Sequence, residues 1–265
     1  MRDPHVKSLR YRVLSSEDVT FDQPPPVEWD TDDFHMILED NVATFEMQRH
    51  YPSEEAAREA VEPNLRRWQL EAALRSNRVE IQFDFDAAEI TDRDPPPPGS
   101  TQVIAVTAIG SAEMFGAVKV HVTRNHYPDP PGNFAVSPDV ESMWSRYQQY
   151  LDGREPLASM AYFCLTAVEG STGIPRGARP EASRRYRISE RVLSKLGDLT
   201  SNVGSERTAR KLPPPTGRRD HTGQEIAWIE AAVKALIRRM GEYAYDPTHT
   251  WPQVTMKDQD LPPLP

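Results

Sequence analysis

This chain has one cysteine in 265 residues, which excludes an intrachain disulfide and any thiolate cluster. Cys164 lies inside the apolar stretch MAYFCLTAV, where a thiol behaves as a small hydrophobe and has no electropositive neighbour to activate it. Long apolar runs are also missing. None approaches the roughly 18 to 20 residues that a membrane span requires, and the opening MRDPHVKSLRYRVL lacks the apolar core of a secretory signal. The expectation is a cytoplasmic protein with no membrane partner. No glycine-rich loop joins a strand to a helix, so the nucleotide-binding α/β folds are poor candidates. The nucleophile elbow G-x-S-x-G is absent too, AIGSAEMFG being only a loose likeness of it.

Metal-ligand spacings are absent as well. His35, His50, His121, His126, His221 and His249 are scattered, and no pair has the one-turn helical spacing of a zinc protease or the short-loop spacing of a zinc finger. Asp84 and Asp86 stand two apart on the polar side of a strand pattern, an arrangement that solvated alternation explains without a cation. No metal and no cofactor are expected.

Charge is abundant and unevenly distributed. Residues 1–100 carry 22 acids and 11 bases, and residues 174–241 carry 7 acids and 15 bases, so a formal net charge of −9 conceals two segments of opposite sign. Segregation of this kind points to a basic segment that meets an anionic partner, docks against the acidic half, or forms a solvated helix face.

Hydrophobic periodicity divides the chain in two. Leu9 to Leu14 alternates as a strand, and FDQPPPVEWDTDD after it reads as a turn-forming loop. Phe34, Met36 and Leu38, then Ala43, Phe45 and Met47, alternate on either side of Asp40-Asn41 and predict a hairpin. YPSEEAAREAVEPNLRRWQLEAALRSN switches to helical spacing behind a Ser53 N-cap, with Pro63 expected to kink or divide the helix. RVEIQFDFDAAEI returns to period two, with Val79, Ile81, Phe83 and Phe85 inward and Glu80, Gln82, Asp84 and Asp86 in water. After the four-proline loop Pro95 to Pro98, TQVIAVTAI and GAVKVHVTRNHY supply two more strands. Six strands and one helix predict an antiparallel α+β domain over residues 1–132.

From Ser137 onward the period is helical. Ser137-Pro138-Asp139 starts one helix, and Pro156 starts another that runs to Gly170. STGIPRGARPEAS reads as a loop, a third helix carries Ile188, Val192, Leu196, Leu199 and Val203, and the last carries Ile226, Ile229, Val233, Leu236, Ile237 and Met240. Four helices predict a bundle over residues 137–245, with Arg238 and Arg239 closing the last against its dipole. A proline-rich tail, residues 246–265, follows, expected to be extended against the surface or partly disordered. The fold class is thus α+β, an antiparallel-sheet domain followed by a helical bundle.

The order of the second half, GREPLASMAYFCLTAVEG, then RYRISERVLSKLGDLTS, then ARK and a terminal helix, resembles the HEPN-type helical regions that follow a β-rich region in bacterial proteins of phage defence and of other, uncharacterised families. Ribonucleases of that class place an arginine before a histidine, with four to six residues between them, near the start of a late helix. The resemblance therefore implies a bundle, with or without that pair. Here the positions that would hold the arginine for His221 are Pro214, Pro215 and Thr216, so the pair is absent and no catalytic residue is assigned.

What remains is a candidate anion-binding or nucleic-acid-binding cluster: Arg207, Arg210 and Lys211 at helical spacing, then Arg218, Arg219 and His221 leading into a helix N-terminus. No aromatic residues interleave these charges, which argues against reading of bases. The expectation is an interaction or regulatory module, an accessory of a defence system without catalysis, with a protein partner or self-association and RNA as an alternative polyanion. The rival expectation is a ribonuclease or other phosphodiester-cleaving enzyme that uses Arg210, Arg219 and His221, and a third is a structural subunit whose faces are buried in an oligomer.

Overall fold

A computed structural model describes residues 3–16, 19–76, 79–94, 122–205, 219–257 and 261–264. The chain is α+β, and its contacts divide it into two compact units, Met1–Gly132 and Asn133–Pro265.

The first unit is built on β1 (Pro4–Ser15), which pairs on one side with β5 (Val42–Met47) and on the other with β6 (Ile81–Asp92). With β4 (Phe34–Glu39) and β3 (Val27–Asp30) they form a five-stranded antiparallel sheet in the order β3-β4-β5-β1-β6. Alternation decides which face is buried. Leu9, Tyr11, Phe34, Met36, Leu38, Ala43 and Phe45 turn inward, where Val61, Leu65 and Trp68 of α1 (Glu54–Ser76) meet them. Trp68 is the centre of this core, with Trp29 edge-on and Phe83 tilted against it and its indole N–H donating to the Pro128 carbonyl at 3.1 Å. The hairpin turn stands where the sequence puts it, with Asp40 and Asn41 both at positive φ, as a two-residue turn between right-twisted strands requires.

Four features of this unit depart from the sequence reading. The segment FDQPPPVEWDTDD is not all loop: β2 (Val19–Phe21) ends where it begins, and β3 forms its far end, an edge strand that the prolines before it shield from further pairing. β2 pairs in parallel with β7 (Val122–Arg124) in a small second sheet. Pro63 does not divide α1, which runs 23 residues through it, since the amphipathic packing of Val61, Leu65 and Trp68 outweighs one missing backbone bond. Glu80 is buried and not wet, because Arg124 reaches it at 2.6 Å. Along β6 the pairing with β1 slips between Arg10 and Tyr11, which leaves Asp86 outside the register, and Arg10 and Arg12 both bind its carboxylate. The strand expected over TQVIAVTAI and the four-proline loop lie outside the described residues, as do His121 and the first part of GAVKVHVTRNHY.

The second unit holds five helices among the described residues: α2 (Pro138–Leu151), α3 (Leu157–Gly170), α4 (Ala178–Tyr186), α5 (Glu190–Asn202) and α6 (Gly223–Tyr245). Ser137 caps α2 by accepting from the Val140 N–H. α3 touches each of the other four, and its buried stripe is Met160, Cys164 and Val168. The stretch read as a connector contains α4. Gly177 enters it at a φ of 68°, Ala182 and Tyr186 anchor it in the core, and Arg179 ties it to Glu169 of α3 at 2.7 Å. Arg239 does not close α6, which continues to Tyr245; it is buried and pairs with Glu242 at 3.1 Å. In the tail, Val254 bridges Ile188 in parallel, and both Val254 and Leu261 are buried.

Candidate functional site

The start of α6 gathers the described members of the basic cluster. Thr222 is its N-cap. The Thr222 hydroxyl accepts from the Glu225 N–H at 3.2 Å, and the Glu225 carboxylate accepts from the Thr222 N–H at 2.9 Å. This reciprocal arrangement satisfies two backbone donors that the first turn would otherwise leave open. Arg219 then folds back over it, donating from both terminal nitrogens to the two Glu225 oxygens at 2.7 and 2.6 Å. A planar guanidinium matches a carboxylate in this two-point geometry. The Arg219 hydrogen bonds, helped by the Thr222 N–H and opposed by desolvation, hold the Glu225 carboxyl at about 2.

His221 is half-buried beside this turn, with Nε2 at 3.1 Å from the Leu199 carbonyl. A carbonyl oxygen can only accept, so Nε2 carries a proton and donates it to Leu199. Both described residues of the cluster are thus engaged: Arg219 holds the first turn of α6 through Glu225, and His221 ties the approach to α6 to the Leu199 carbonyl of α5. Arg207, Arg210, Lys211 and Arg218 lie outside the described residues.

His221 also borders a cleft of about 390 Å³ between the α2–α3 connection and the approach to α6. Tyr150, Pro156, Leu157 and Ile226 give it apolar walls, and Glu155, Asp220 and His221 supply polar groups. The Tyr150 hydroxyl donates to Glu230 at 2.5 Å, and burial followed by this carboxylate pushes the phenol far above its ordinary value, so it stays protonated. The Glu155 side chain is all but buried; its Oε1 accepts from Arg146 at 2.9 Å, while its Oε2 has no hydrogen-bond partner among the described residues. These residues come from two stretches far apart in the chain, 150–157 and 220–226, which is why the sequence did not group them.

No protein-family model, no curated protein and no solved structure matches this chain.

Among the described residues, no group of three or more histidine, cysteine or acidic side chains could hold a metal ion, and no helix is long and apolar enough to cross a membrane. Cys164 is buried at the α2–α3 contact, its thiol against the Met143 carbonyl, and burial raises its pKa far above the ordinary thiol range. It is no nucleophile. A second recess of about 600 Å³ in the first unit is lined by Arg75, Glu80, Arg124, His126 and Asp129, and its central pair, Arg124 with Glu80, is a closed ion pair. The one available signal for the α6 cluster was the spacing Thr222-x-x-Glu225, which marks a capping box and assigns the nearby charge to a helix start.

Proposed function

We propose that this chain is a non-catalytic interaction module of the cytoplasm that works by binding a protein partner, in a role like that of the bacterial defence proteins whose helix order it resembles. The observation that carries the reading is the engagement of Arg219 and His221. Phosphodiester cleavage needs a cation for the phosphate and a group to move a proton. Here the guanidinium of Arg219 is held on Glu225 by two hydrogen bonds, and His221 is anchored to the Leu199 carbonyl.

The outer face of the sheet supports a protein partner over a polyanion. Its rows run Ile37–Thr44–Arg10 and Glu39–Val42–Arg12 across β4, β5 and β1, and Leu14 and Ile37 stand exposed among charges of both signs. A surface that tracks a phosphate backbone is of one sign, whereas apolar groups inside a mixed polar field suit a protein surface.

The test is incubation of the full chain with mixed cellular RNA at low and moderate salt, following binding and cleavage, beside His221→Ala and Arg219→Glu. The expected result is no cleavage by any of the three. Cleavage by the parent chain that His221→Ala abolishes overturns the reading. A partner recovered by affinity capture is expected to be lost with Ile37→Glu and retained with Arg219→Glu.

A further inference from the structure

Charge is not spread evenly over the outer face of the sheet. We propose, on the basis of the interaction reading, that the half of this face centred on Ile37 docks a basic protein segment, one that sets an apolar side chain between lysines or arginines.

Strand register builds the site. β3 and β4 set Glu28 beside Ile37 and Asp30 beside His35. β4 and β5 set Thr44 beside Ile37, Glu46 beside His35 and Val42 beside Glu39. Alternation puts all of these on the outer face, each about 5 to 8 Å from Ile37 across or along the strands. Ile37 is 37% exposed, and the four carboxylates around it are exposed as well. An apolar centre inside a charged rim is the form of a protein contact. Carboxylates spread around such a centre do not converge on one point, so they suit several separate cations and not a single ion.

The bases of the sheet leave this half unneutralised. Arg10 and Arg12 lie one strand further on and are both held on Asp86, at 3.3 and 3.1 Å, and Lys7 is held on Glu89. Among the described residues no ion pair at 4 Å or less reaches Glu28, Glu39 or Glu46, and Asp30 meets His35 at 2.7 Å. That histidine registers the local field. Its bond to Asp30, and then the charges of Asp30, Glu28 and Glu46, raise its pKa against desolvation, so a positive charge is already favoured here. The same field repels a phosphate backbone.

Three nine-residue peptides probe the full chain: a central leucine flanked by lysines, the same peptide with glutamines for the lysines, and the lysine peptide with serine for the leucine. Titrations followed by backbone amide shifts give affinity and location together. The lysine–leucine peptide is expected to bind about tenfold or more tightly than the glutamine peptide at low salt, an advantage that shrinks at moderate salt. It is expected to bind more tightly than the serine peptide too, with shifts centred on Ile37, Glu39 and Thr44. Ile37→Glu and Ile37→Lys delete the same apolar contact from an exposed position and differ in charge; both are expected to weaken the peptide, Ile37→Lys the more. The double change Glu28→Gln with Glu39→Gln is expected to abolish the preference for lysine. Equal binding of the lysine and glutamine peptides, no binding, shifts centred elsewhere, or equal losses in the two Ile37 variants overturns the proposal. A captured partner that Ile37→Glu releases and the double glutamine variant keeps overturns the basic character and leaves the interaction reading standing; one that Ile37→Glu does not release overturns both.

Discussion

The ring of Phe134 lies directly on Gly241 of α6: a β-carbon built on that glycine would stand 2.1 Å from Phe134 Cε2. The contact is reinforced by the backbone, since the Ala135 N–H donates to the Gly241 carbonyl at 3.0 Å. Both residues are buried. The glycine is here for the space it leaves, and the ring fills that space and docks the entry segment of the helical unit on its last helix.

Gly241→Ala is therefore expected to destabilise, although alanine is the better helix former by about 1 kcal/mol. Overpacking a filled core costs about 1–3 kcal/mol, and a β-carbon at this distance forces the ring or the helix to move. Urea titration should show a lower midpoint for Gly241→Ala. Phe134→Leu in the same background should restore part of the loss; an unchanged midpoint in Gly241→Ala refutes the contact.

A second expectation concerns Glu225. Its folded-state carboxyl sits at about 2 against 4.5 for the free group, so the native state binds its proton later than the unfolded chain. The stability this provides is complete above about pH 4.5 and is lost as pH falls toward 2. Glu225→Gln removes the charged pair with Arg219 while its amide oxygen can still accept from the Thr222 N–H, at an expected cost of about 1–2 kcal/mol at neutral pH. Denaturant midpoints measured from pH 7 to pH 3 should converge for parent and variant. A gap that persists unchanged at pH 3 would show that the charge is not what holds the turn.

How much of this was legible in the sequence follows from the range of each interaction. The hairpin at Asp40-Asn41 and the caps at Ser53 and Ser137 are written within four residues of where they act, and the structure has them. β3 and α4 were missed because neither has its own signal. β3 exists through pairing with β4, and α4 through Arg179, which pairs with Glu169 of α3, and Tyr186, which bonds Ser171 at the end of α3 and packs edge-on against Tyr243 of α6. Glu80 was read as wet because its partner, Arg124, is 44 residues away. At the candidate site the sequence located Arg219 and His221, yet their partners Glu225 and Leu199 decide what they do, and only Glu225 is near in the chain.

His5 carries an acid-side liability. Its ring stacks on His50 with centroids 5.4 Å apart, its Nδ1 is buried without a hydrogen-bond partner among the described residues, and burial, then His50 and Arg93, lower its pKa, with Asp3 opposing. A histidine depressed in the folded state binds its proton more readily when unfolded. Stability is therefore full above the ordinary value of 6.5 and falls as pH drops below it. His5→Phe keeps the stacking and removes the titration. Its melting temperature should fall less than the parent's between pH 7 and pH 5. His35 is the control, since its bond to Asp30 raises its pKa and gives the opposite sign.

The hairpin turn separates two substitutions that look alike. Asp40 and Asn41 both have positive φ, near 50° and 61°, a region glycine enters without penalty. Asp40→Gly relieves that strain, and among the described residues no hydrogen bond depends on the Asp40 side chain, so stability should shift by a few tenths to about 1 kcal/mol in the favourable direction, offset in part by unfolded-chain entropy. Asn41 is different. Its side-chain oxygen accepts from the Tyr127 hydroxyl at 3.0 Å, and that same hydroxyl accepts from the Asn41 N–H at 2.9 Å. Asn41→Gly removes the first bond and leaves a mostly buried phenol proton without its partner, at a cost of about 1 kcal/mol. Opposite signs for the two variants, and loss of the Asn41→Gly effect in a Tyr127→Phe background, are the expected outcome of a double-mutant cycle. Equal signs would mean that the turn is set by its backbone alone.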